Sequence, residues 1–148
     1  MEERSFTEIL DMQAKNVKAP QALPMGTYLC IVEGVPIIGT AGEKGTDCVT
    51  FSFKPLQVQD DVDQKQLAEV LNGDALPDRR ITHRMFVTNK SKHRLKKFLV
   101  DDLGLDENNS LKQLISEAPS RQVLVKLTHQ PSKDGSAVYE NVASTSKV

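Results

Sequence analysis

The chain has 148 residues, 39% hydrophobic and 26% charged, with a formal net charge of −1 and a pI near 6.3. That length supports one hydrophobic core, and that composition belongs to a folded domain rather than a disordered one. A near-neutral balance excludes a general polycation, so any contact with phosphate has to come from segregated charge. The longest apolar runs, LCIV and VPII, are too short to cross a bilayer. MEERSFTEIL is charged and lacks the apolar stretch of a leader, so neither a membrane span nor a signal peptide is predicted. Two cysteines, Cys30 and Cys48, make no disulfide framework; they are expected to be reduced, buried thiols in an intracellular protein.

Residues 1–25 form a predicted arm. Within it SFTEILDMQAKN has the signature of a short capped helix, with Ser5 at the cap and Glu8 three residues on, and KAPQALPMG breaks it. GTYLCIVEGVPII (26–38) is rich in β-branched and aromatic residues and predicts one long first strand. GTAGEKGTD follows as a loop. CVTFSFK (48–54) predicts the second strand, with Val49, Phe51 and Phe53 inward and Thr50, Ser52 and Lys54 outward. Residues 55–78 are acidic and weak in strand signal, and predict an insertion with a turn or two of helix at QKQLAEVLNG.

The third strand is predicted over RITHRMFVTN (80–89), with Ile81, His83, Met85 and Val87 inward and Arg80, Thr82, Arg84 and Phe86 outward. SKHRLKKFLVDDLG (91–104) is an amphipathic helix on the stripe Leu95, Phe98, Leu99 and Leu103, with its bases early and its acids late, against the helix macrodipole. A short helix over 110–119, a fourth strand over 121–130 and a fifth over 137–144 complete the domain (26–144), leaving 145–148 as a tail. The fold class that follows is mainly β. It is a five-stranded antiparallel barrel with a helix between strands 3 and 4, the oligonucleotide/oligosaccharide-binding (OB) architecture, carrying a short N-terminal helical arm.

Charge alternates along the chain. Residues 55–78 hold six acids and one lysine, residues 79–97 hold eight bases and no acid, and residues 98–118 hold five acids and one lysine. With this element order, LPMGTYLCIVEGV, GTDCVTFSFK, KHRLKKFLVDDLGL and the closing pair RQVLVKLTHQ/YENV resemble the small OB-fold single-stranded-DNA-binding proteins encoded by bacteriophages. The resemblance spans roughly residues 23–144. It implies non-catalytic binding of single-stranded DNA with little sequence preference, in phage replication or recombination, and residence in the host cytoplasm. The partners implied are single-stranded DNA, a second copy of the chain, and replication or recombination proteins. The chain departs from the pattern in ending on ASTSKV rather than an acidic tail, and in its aromatic content of 5% with no tryptophan.

Single-strand binding needs cations along the phosphates and flat side chains under the bases. The outward sets of strands 2 and 3 supply Thr50, Ser52 and Lys54 beside Arg80, Thr82, Arg84 and Phe86. The helical half of the basic block adds Lys92, Arg94 and Lys96, and the loops add Lys44 and Lys133. His83, His93 and His129 are scattered, with no ligand spacing for a metal. No cofactor is implied, and no nucleophile elbow, phosphate loop or carboxylate cluster suits an enzyme. The alternative reading is a protein–protein interaction or virion-assembly module built on the same barrel.

Overall fold

The computed structural model describes residue 10, residues 21–135 and residues 138–148. Apart from Leu10, the predicted N-terminal helix lies outside the described residues. Six strands form one antiparallel sheet: β1 (Gly26–Val32), β2 (Ile37–Ala41), β3 (Thr46–Val58), β4 (Ile81–Phe86), β5 (Gln122–Pro131) and β6 (Val138–Ser146). Helix α1 (Gln64–Leu71) and a 3₁₀ turn (Leu76–Asp78) lie between β3 and β4. Helix α2 (Lys92–Lys96), a π-helical turn (Lys97–Asp102) and α3 (Leu111–Glu117) lie between β4 and β5.

The single long first strand is corrected to two. Gly34, at φ +73°, takes the chain out of extended geometry, and β2 resumes after Pro36. Both pieces pair with one edge of β3: Ile31 faces Lys54 and Val32 faces Phe53, while Ile37 faces Thr50 and Gly39 faces Cys48. The other edge of β3 carries β4, with Phe53 facing Ile81 and Thr50 facing Arg84. β3 is longer than predicted and runs through Pro55. Odd-numbered residues of this stretch turn their backbone groups toward β4, as in Val87 N–H donating to Asp47 O at 2.8 Å. β4 ends opposite Phe53, so the missing N–H of Pro55 removes no ladder bond. The insertion therefore begins near residue 59, not at 55.

Gly26 holds this insertion against the sheet. Its φ is +137°, and a Cβ there would sit 2.5 Å from Val62 Cγ2 and 2.9 Å from Asp61 O. One residue on, Thr27 donates its N–H and its hydroxyl to the two Asp61 carboxylate oxygens at 2.8 and 2.7 Å. Those bonds hold the Asp61 carboxyl below the usual carboxylate range. In α1, Asp63 caps the N–H groups of Lys65 and Gln66.

The core collects the inward residues of β1, β3, β4 and β5 with the helical stripe Leu95, Phe98, Leu99 and Leu103. Phe98 lies 4.8 Å from Phe51 and 5.9 Å from Phe53, ring centre to ring centre, and so seats the helix on β3. Cys30 and Cys48 are free and buried, and burial pushes the Cys30 thiol up to about 12.

The sheet is not closed, which corrects the expected barrel. The two edge strands that face one another are β4 and β6; they run parallel and come within 8 Å, but no bridge pairs them. Side chains span the gap instead. Near the start of both strands Arg79 Nη2 meets Glu140 Oε1 at 3.0 Å. At the far end it is the π turn, not β4, that is tied to β6: Lys97 Nζ donates to both oxygens of buried Asp102 at 3.0 and 3.2 Å and to Thr145 O at 3.0 Å, while the Thr145 hydroxyl also donates to Asp102. The π turn makes this possible. Residues five apart share a face only in that wider winding, and Leu103 N–H donates to Phe98 O across it. Among the described residues no helix is long and apolar enough to cross a membrane.

Candidate nucleic-acid interface

The pleat and the β3–β4 register build the outward face that the sequence predicts. Thr50 stands opposite Arg84, Ser52 opposite Thr82 and Cys48 opposite Phe86, with Lys54 next along β3. Arg84 and Phe86 are exposed, Phe86 by 46%, so the insertion does not cover it. On the inner side of the same strand His83 and Met85 are half-buried, and burial lowers the His83 pKa.

Arg80 lies on this face but is not available as a free cation. Its Nε and Nη2 meet the two Glu33 oxygens at 2.6 and 3.1 Å, and its Nη1 donates to the carbonyls of Pro77 and Arg79 at 2.6 and 2.7 Å. Glu33 follows β1 directly and is fixed by its own N–H to Ser52 O, 2.8 Å. Arg80 therefore reaches across β3, and its charge is cancelled over the centre of the face.

The helical trio divides. Arg94 lines a cavity of about 480 Å³ in the gap between β4, α2 and β6, whose walls include Arg84, Phe86, His93, Phe98 and Val142. Lys92 and Lys96 lie elsewhere, lining a hollow with Val100, Glu107 and Leu114. Lys44, in the turn between β2 and β3, and Lys133, in the turn between β5 and β6, are exposed and flank neither of these cavities.

A second cavity, about 390 Å³, continues the gap at the other end of the two strands and is lined by Arg79, Arg80, Thr82, Val138 and Tyr139. Tyr139 is 59% exposed and pairs with exposed Gln130, which places it on the outside of the sheet. The gap thus carries an aromatic at each end, Tyr139 and Phe86, with Arg84 and Arg94 near the second. The sequence alone leaves Tyr139 open between core and groove. The polar alternation YENVAS was the available signal, and it could not tell which strand β6 would lie against.

Among the described residues no three His, Cys, Asp or Glu side chains gather as a metal site. No protein-family model matches the chain, and no curated protein sequence matches it.

Proposed function

We propose that this protein binds single-stranded DNA without catalysis and with little sequence preference, as in phage replication or recombination, on an OB-like sheet whose open side is β4. The observation that carries the reading is the exposed pair Arg84 and Phe86. They stand side by side on β4, next to the hydroxyls of Thr50, Ser52 and Thr82, and open into a gap rimmed by Arg94. Cations along a groove and a flat ring beside them are what a sequence-tolerant single-strand site requires. OB folds are partly open barrels that take oligonucleotides on the face of their second and third strands, the positions of β3 and β4 here.

Lys54, Arg84 and Arg94 supply the phosphate contacts, and Phe86, with Tyr139 at the far end, supplies stacking. The test is fluorescence anisotropy with labelled oligo-dT at 50 and 200 mM salt. Each phosphate contact on a single strand contributes a slope of about −0.7 in log K against log salt, so three contacts predict about −2.1. Arg84→Ala is expected to bring the slope to about −1.4 and to weaken all sequences alike. Absence of binding at 50 mM overturns the proposal.

The second reading, an interaction or assembly module, is favoured by a different feature. Val35, Ile37 and Ile38 are exposed together on and before β2.

A further inference from the structure

Strand β2 lies on the same side of β3 as β1 and further along it, and among the described residues nothing pairs with its outer edge. The direction of its backbone groups follows from β3. Glu33 N–H donates to Ser52 O, and odd-numbered residues of β3 bond toward β4, so even-numbered residues bond toward β1 and β2. Ile37, Gly39 and Ala41, the partners of Thr50, Cys48 and Thr46, therefore turn their N–H and C=O groups inward to β3. Ile38 and Thr40 turn theirs outward, leaving two donors and two acceptors at the edge.

Natural sheet edges are protected by charge, bulges or proline. This one is weakly protected. GVPIIGTAG, residues 34–42, holds no charged side chain, and its proline precedes the strand. Ile37 is 71% exposed and Ile38 63%, on opposite faces of the strand. Backbone groups awaiting a ladder and apolar side chains on both faces are the features of a strand that is paired in the working protein.

The geometry points to a second copy of the same strand as the occupant: we infer that the protein forms a two-fold dimer through antiparallel β2–β2 pairing centred on Gly39. Only residues 38 and 40 present outward groups. The register that pairs Ile38 with Thr40 of the other copy, twice, uses all of them and forms four N–H···O bonds. A register centred on Ile38 would oppose Thr40 to Pro36, which has no N–H, and would leave the Thr40 carbonyl of each copy without a donor. In the favoured register the two Ile38 side chains are diagonal neighbours on one face, and each Ile37 stands opposite Ala41 of the other copy on the second face. No like charges meet, because the segment carries none. An interface of one strand pair lies at the small end of the range for specific association, so the dimer is concentration-dependent and micromolar.

The two-fold axis of an antiparallel pair is perpendicular to the sheet, so the outward faces of both copies lie on the same side. The row Phe86, Cys48, Gly39 then continues into Gly39, Cys48 and Phe86 of the second copy. At about 4.8 Å per strand, the two Phe86 residues stand about 24 Å apart on a continuous surface.

The test needs no nucleic acid, so its failure is separate from failure of the binding proposal. Sedimentation equilibrium over a micromolar to submillimolar series is expected to show a monomer–dimer equilibrium. Ile38→Lys, at an exposed position, is expected to weaken it at least tenfold without changing the thermal melt. The register is tested by cross-linking. Residues opposite one another in this kind of pair have Cα atoms about 4.5 Å apart, within disulfide range, whereas Ala41 lies about 14 Å from its own counterpart. Gly39 has open space where a side chain would go, and the native cysteines are buried. Gly39→Cys is expected to cross-link at least tenfold faster than Ala41→Cys under mild oxidation. A monomer throughout the series overturns the inference, as does a dimer indifferent to Ile38→Lys or equal cross-linking at the two positions.

Discussion

The ion pair between Arg80 and Glu33 turns the charge arithmetic of the face into a sharp prediction. Glu33→Gln removes the carboxylate while the carbonyls of Pro77 and Arg79 still hold the guanidinium in place. Both partners are substantially exposed, so losing the pair is expected to cost about 0–1 kcal/mol of stability. The variant then offers a strand four cations rather than three, and the salt slope steepens from about −2.1 to about −2.8. Referred to 1 M salt, one added contact makes binding about eightfold tighter at 50 mM and about threefold tighter at 200 mM. The assay is the same anisotropy titration on labelled oligo-dT at several salt concentrations. A slope that does not steepen, or weaker binding at 50 mM, would refute the reasoning. It would mean that phosphates do not pass over the centre of β3 and β4.

Three further outcomes follow from the fold. Asp102→Ala removes the buried acceptor shared by Lys97 and Thr145 and is expected to destabilise by about 2 kcal/mol, a drop of about 6 °C in the melting midpoint; an unchanged melt would show that this clamp holds nothing. Gly26→Ala forces a side chain into a left-handed φ and against Val62, at a cost of roughly 3 kcal/mol, measurable by urea unfolding. His83 has its pKa lowered by burial, so the unfolded chain takes up the proton first as pH falls below about 6.5. Stability is fully present above that pH and declines as pH drops toward the folded-state value; His83→Gln is expected to flatten this part of a urea-midpoint profile, and an unaltered profile would assign the effect elsewhere.

What the sequence disclosed depended on period. The alternation of Val49, Phe51 and Phe53 and the helical stripe from Leu95 to Leu103 each settle which side faces the core, and both stand in the structure as read. The β3–β4 face was legible for the same reason, since outward residues of neighbouring strands must meet. The break between β1 and β2 was not legible, because VEGVPII stays apolar and β-branched through it and only Gly34 and Pro36 mark the bend. The pairing of Arg80 was not legible, because its carboxylate lies 47 residues away in the chain and no local pattern carries that contact. The late acids of the second helix read as a conflict with the macrodipole. Asp102 resolves part of it, since the π turn brings it to Lys97, and nothing in the residue pattern announces that winding. Failure to close the sheet is a matter of the last ångströms between β4 and β6, which depend on packing rather than on period.

Between β4 and β6, the Arg79–Glu140 ion pair and the hydrogen bonds from the π turn to Thr145 stand where a backbone ladder would otherwise run. A sheet fastened this way is joined there through side chains. Widening it breaks no main-chain bond, and a hydrogen–deuterium exchange map would register the slack as fast-exchanging amides along both facing edges. This unpaired joint borders Arg84 and Phe86, so a polymer settling there would be read out as slowed exchange on both sides of it.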